Sequence, residues 1–85
     1  MNSQNIIRYL KTLSDKDRAA HSQKYFKTGE GEYAEGDIFL GIRVPVLRTT
    51  VKKFQDTSLT EIRKLLKSEY HEVRLFSLLL LVHQF

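Results

Sequence analysis

Cysteine is absent from this chain, proline occurs once, and nowhere does an apolar run approach the length of a membrane span. Without cysteine there is neither a disulfide framework nor a thiolate metal site, a usage that suits a reducing compartment. The longest apolar stretch, Leu75 to Val82, is interrupted by Ser77 and is far shorter than the roughly 20 residues that cross a bilayer. Met1 to Arg8 lacks a basic segment followed by an apolar core, so no secretory signal is expected and the protein reads as cytoplasmic. Sustained alternation of period two is missing as well, which argues against a sheet. What remains is an all-α chain.

Its 85 residues fit one small domain. A chain of this size buries only about 60–65% of the surface it exposes when unfolded. Hydrophobic residues make up 41%, enough for a core and too many for a disordered segment. Fourteen Lys and Arg against ten Asp and Glu give a net charge of +4, a modest excess with an uneven distribution. Glu30, Glu32, Glu35 and Asp37 lie in one eight-residue stretch, so the rest of the chain carries fourteen cations against six acids, or +8. A basic helical body with an acidic loop suits a polyanionic partner; cations that merely solvate helix surfaces give the same count.

Helical spacing organises the chain. Ile6, Ile7, Leu10 and Leu13 mark a first helix with Asn2 or Ser3 as its N-cap. A second is expected to start at Ser14, with Asp17 as the acidic partner of a capping box, and to run to about Lys27, where Thr28-Gly29 stops it. Residues 28 to 44 hold all four glycines and form a long loop, whose apolar Ile38-Phe39-Leu40 and Ile42 fold back onto the helices. Pro45 suits the first position of a third helix, striped by Leu47, Val51 and Phe54. Ser58 and Glu61 make a capping box for a fourth, with Leu59, Ile62, Leu65 and Leu66 as its buried face. A fifth begins near Tyr70, with Glu69 and Glu72 at its positive end.

That fifth helix is apolar around its whole circumference between Leu75 and Val82, and such a helix is normally covered on every side. Two expectations follow: the 85 residues are the N-terminal part of a larger helical domain, or the Leu75–Phe85 helix self-associates through its bare face.

The polar residues offer few chemical motifs. The acidic stretch from Glu30 to Asp37 lacks the spaced oxygens and terminal glutamate of a calcium loop, and reads as a solvated lid facing away from any polyanion. His71-Glu72 starts a zincin motif, but Leu75 stands where the second histidine belongs, leaving His71 as an exposed residue of a first helical turn. His21 and His83 stand alone, so neither a metal nor a cofactor is expected. Arg48 and Lys52, four apart, share a helix flank and make either a rail for phosphates or two exposed cations.

Several segments in order carry a resemblance: Tyr25-Phe26-Lys27-Thr28-Gly29, Gly31-Glu32-Tyr33, Glu35-Gly36-Asp37, Phe39-Leu40-Gly41-Ile42-Arg43-Val44-Pro45 and Leu47-Arg48. Leu65-Leu66-Lys67-Ser68 and His71-Glu72-Val73-Arg74-Leu75 extend it. Together they resemble the opening of the AlkD-like DNA alkylation-repair glycosylases. The resemblance implies a stack of paired helices similar to HEAT repeats, with a concave face that grips duplex DNA. It also implies excision of N3- and N7-alkylated purines, with an aspartate stabilising the oxocarbenium-like sugar beside aromatic residues, chiefly tryptophan.

This chain has no tryptophan, and Asp15, Asp17, Asp37 and Asp56 fall in the wrong segments to serve as that aspartate. The expectation is a DNA-contacting N-terminal portion without catalytic residues of its own. The resemblance implies that the neighbourhood of Tyr25, Lys27 and Arg43 helps form the DNA-facing surface; Arg48 and Lys52, read from their spacing as a phosphate rail, would extend it, with Lys24 as a possible addition. A competing reading of these residues packs Tyr25 into the core and leaves the cations merely solvated; a competing reading of the whole chain is a helical-repeat module that binds protein and not DNA.

Overall fold

Asn2 opens the first helix, α1 (Ser3–Thr12), its side chain accepting a hydrogen bond from the Asn5 N–H at 2.8 Å. Ile6 and Leu10, one turn apart, are fully buried. The second helix, α2 (Lys16–Tyr25), departs from expectation at its start. Asp15 is the residue whose carboxylate accepts from Arg18 N, three positions on, while the Ser14 hydroxyl turns back and donates to the Lys11 carbonyl. An ionised carboxylate is the stronger acceptor for an orphan N–H, so the aspartate takes the capping role.

In the computed structural model, residues 2–25 and 36–84 are described, and they hold five α-helices with one 3-10 turn. Helix α3 (Val44–Val51) begins one residue before Pro45, which therefore occupies the second helical position, where its missing N–H is equally harmless. A 3-10 turn (Lys52–Phe54) tightens its end. Helix α4 spans Leu59–Leu66 and helix α5 His71–Gln84. Helix α5 packs against both α3 and α4, and α1 packs against α4. Leu47, Ile62, Leu65, Val73, Phe76 and Leu80 lie fully or almost fully buried at these contacts. Each contributes about 1.5–3 kcal/mol by leaving water. Phe54 meets Phe76 edge-on with ring centroids 6.1 Å apart, and Tyr9 meets Phe54 at 5.4 Å. Among the described residues the only β-type pairing is an isolated parallel bridge between Ile38 and Tyr70. The fold is all-α.

Two expectations about α4 need correction. Leu59 is 48% exposed, because as the first residue of α4 it overhangs the end of the core. The capping box of α4 is only half formed: Glu61 N donates to Ser58 Oγ, but the Glu61 carboxylate does not return to Ser58. It accepts instead from Ser3 N at 2.7 Å, so it caps α1 across the α1–α4 contact, and it also pairs with Lys64 at 2.9 Å. On α5, Leu78 (50% exposed) and Val82 (75%) face outward beside half-buried Leu75 and Leu79. The sides of α5 that these residues occupy are open.

The Ser3 N–H, followed by Lys64, lowers the pKa of Glu61 below its ordinary value. A depressed carboxylate contributes stability that is present above the ordinary value and is lost as pH falls through the folded one. Acid unfolding of Glu61→Gln is therefore expected to show a shallower decline across that window than the parent; superimposable pH profiles would contradict this tie.

Candidate nucleic-acid interface

Residues 36–43 lead into α3 and lie against α2 and α5, and much of the 37–42 backbone is hydrogen-bonded to those two helices. Gly36 and Gly41 turn the backbone at φ +86° and +82°, conformations that side-chain-bearing residues rarely adopt. From α2, the Gln23 amide donates to the Asp37 carbonyl at 3.0 Å and accepts from Phe39 N at 2.8 Å. Asp15 N donates to the Leu40 carbonyl at 2.9 Å. From α5, Arg74 forms an ion pair with Asp37, whose other carboxylate oxygen lies 3.6 Å from His71 Nδ1. The His71 N–H donates to the Ile38 carbonyl at 2.8 Å, and its ring lies 4.6 Å from that of Phe39.

Glu72 completes the lacing. Its buried carboxylate accepts from Leu40 N at 2.8 Å on one oxygen, and from Gly41 N and Ile42 N at 2.8 and 3.2 Å on the other. Phe39, Leu40 and Ile42 are buried above it, as the apolar pattern predicts, whereas Ile38 stays partly exposed and is held by its backbone. Glu72 does lie in the first turn of α5, but it serves the neighbouring segment and not mainly the helix dipole. His71 is correspondingly half-buried against Asp37 and Phe39, not a free surface residue. Asp37 is likewise tied down; Glu30, Glu32 and Glu35 lie outside the described residues.

This lacing fixes the places of the residues that the sequence singles out. A hollow of about 150 Å³ is lined by Ser22, Phe39, Ile42, Val44, His71, Glu72 and Leu75, which sets the C-terminal half of α2 beside the start of α3. Tyr25 follows Ser22 by three residues, and Arg43, the N-cap residue of α3, precedes Val44. Tyr25 is 71% exposed, so the expectation that it could pack in the core is overturned: α2 buries none of its residues.

Arg48 lines a second hollow, about 330 Å³, with Val51, Leu79, Val82 and His83 between α3 and α5. Lys52 is exposed one turn further on. The residues thus fall into two pairs, Tyr25 with Arg43 and Arg48 with Lys52, and not into one cluster. Lys27 lies outside the described residues.

Electrostatically these cations differ from several others. Lys64 is paired with Glu61 and Arg74 with Asp37, while Lys11 and Lys53 sit over the rings of Tyr70 and Tyr9 at 4.8 and 5.1 Å. Among the described residues no carboxylate lies within ion-pairing distance of Arg43, Arg48 or Lys52. Their charge is available to an anion.

Among the described residues there is no cluster of three metal-ligating side chains, and no helix is long and apolar enough to cross a membrane. Sequence reasoning missed Glu72 and Gln23 as organisers of the 36–43 segment. The available signal was Gly41 beside apolar Leu40 and Ile42, a glycine turn whose buried N–H groups need an acceptor.

No curated protein and no solved structure matches the chain. The model of one family, DNA alkylation repair enzyme, matches residues 6–85 and so takes in all of α2 to α5 and most of α1. With all but its first five residues matched, the chain belongs to the DNA alkylation repair enzyme family.

Proposed function

We propose that this chain is the DNA-contacting, N-terminal helical portion of an alkylpurine DNA glycosylase, built as a HEAT-like stack, and that alone it excises no base. The observation that carries this reading is the exposure of Arg43, Arg48 and Lys52, none with a carboxylate partner among the described residues, together with an exposed Tyr25. Guanidinium and ammonium groups neutralise phosphates and release condensed counterions, and a phenol can stack or hydrogen-bond at a groove edge. Lys27, two residues beyond Tyr25, belongs to the same proposal. Catalysis on a cationic alkylpurine would need a carboxylate facing the sugar. Here Glu72 is spent on three backbone N–H groups, Asp37 on Arg74 and Asp15 on the cap of α2.

The test is titration of a fluorescent duplex with the chain and with Arg43→Glu/Arg48→Glu. Both positions are exposed, so the helical circular-dichroism signal should be unchanged while duplex affinity falls by about 100-fold or more at moderate salt. Equal affinity for the two proteins, or released methylated base from the chain alone, would overturn the corresponding half of the reading. The second reading, a protein-binding helical module, is favoured by the outward stripe Leu75, Leu78, Leu79 and Val82 on α5. Self-association through that helix would appear as a dimer in sedimentation, with any duplex binding independent of Arg43 and Arg48.

A further inference from the structure

Helix α2 is unlike the other four. It buries no residue, although it is ten residues long and carries Lys16, Asp17, Arg18 and Lys24 among its side chains. A helix that is polar all round gains little from a core, and one this short is marginal by itself in water. Among the described residues its backbone and amide ties run to residues 37–42. Asp15 N reaches the Leu40 carbonyl, the Gln23 amide clips Asp37 and Phe39, and the α2 backbone at Asp15 and Ala19 lies against the hydrogen side of Gly41. A helix that buries no side chain opens at lower free energy than one sealed by leucines.

Its outer surface is not uniform. At the N-terminal end Asp15 and Asp17 share a hollow with Arg18 and His21, so negative charge offsets that arginine. At the C-terminal end His21, Lys24 and Tyr25, spaced three and four apart, form one flank, with the His21 and Tyr25 rings near-parallel at 21° and 6.3 Å between centroids. That flank combines a cation with two flat rings.

We propose that α2 is a strap: in the free protein it opens independently of the core, and duplex DNA closes it by contacting the His21–Lys24–Tyr25 flank. The docking half rests on the DNA-binding reading above; the opening half does not. It adds His21 to the contact surface, seats Lys24 on the same flank, and gives Gln23 a positioning role, since its amide holds α2 against residues 37–39.

Amide hydrogen exchange followed by mass spectrometry, with and without a duplex oligonucleotide, tests both halves. In the free protein, amides of residues 20–25 should exchange at least about tenfold faster than the interior amides of α1 and α5. Saturating duplex should slow them by a similar factor. Gln23→Ala should speed exchange in α2 and weaken duplex binding several-fold, with α1 and α5 as protected as before. His21→Ala/Lys24→Ala should leave free-state exchange unchanged but reduce the slowing by duplex.

Protection of α2 equal to that of α5 in the free protein would overturn the strap. Duplex that binds through Arg43 and Arg48 without slowing α2 would overturn the docking alone. If the duplex does not bind at all, the DNA reading fails and docking fails with it, while the free-state comparison still decides whether α2 opens.

Discussion

Glu72→Ala is expected to destabilise the fold by about 3–5 kcal/mol, which for a domain of this size is a large share of its total stability. The reason is the count and burial of what loses its partner. Leu40 N, Gly41 N and Ile42 N all end on this one carboxylate, and Leu40, Ile42 and Glu72 itself are buried. Each N–H left unsatisfied costs about 1–3 kcal/mol. Glu72→Gln should be milder but still damaging. Its amide keeps one acceptor oxygen and turns an NH2 donor toward N–H groups that need to donate, so a loss of about 2 kcal/mol is expected. Urea denaturation followed by circular dichroism reads both. A loss under about 1 kcal/mol for alanine would mean that the 40–42 segment is held by its apolar side chains and not by this carboxylate.

Gly41→Ala is expected to be comparably severe, about 3–5 kcal/mol, with two causes acting together. The backbone stands at φ +82°, which costs a residue with a Cβ about 1–2 kcal/mol. The added carbon would also lie 2.7 Å from Ala19 N and closer still to the Asp15 carbonyl oxygen, both backbone atoms of the α2 start that cannot rotate aside. Gly36 supplies the control. It has a similar φ of +86° and open space around the Cβ position, so Gly36→Ala should lose only the conformational part, about 1–2 kcal/mol. The difference between the two variants isolates the approach of α2 to the segment. Equal losses at both positions would show that α2 yields.

The helical skeleton was legible because its signals are local. The 3–4 spacing of Ile6 and Leu10, of Leu47 and Val51, and of Ile62 and Leu65 names both the helix and its buried face. Ser58 and Asn2 act as caps as their side-chain chemistry predicts. The errors arose where a polar side chain had a choice between a local and a distant partner. Glu61 could close its own capping box, but Ser3 N, brought in by α1, offers a bond at 2.7 Å. Glu72 could merely favour its helix dipole, but the 40–42 backbone presents three donors at once. Tertiary proximity decides such cases, and it is invisible at a sequence separation of thirty residues or more.

Of the proposed contact residues, Tyr25, Arg43, Arg48 and Lys52 are exposed, and their separation follows from where α2 and α5 lie against α3: Arg48 lines the hollow between α3 and α5, while Tyr25 and Arg43 flank the residues of the hollow beside α2. The same geometry gives Arg48 an apolar setting, beside Leu79 and Val82, that a flank of a lone helix would not suggest.

The central claim is that this chain grips duplex DNA by its phosphates through Arg43, Arg48 and Lys52. Its most direct test is the salt dependence of duplex affinity. With three to four phosphates neutralised, log affinity plotted against log salt concentration should fall with a slope of about −3, and Arg43→Glu/Arg48→Glu should flatten it to about −1 or abolish measurable binding. A duplex affinity that does not change with salt, or a slope that the double charge reversal leaves in place, would contradict the account.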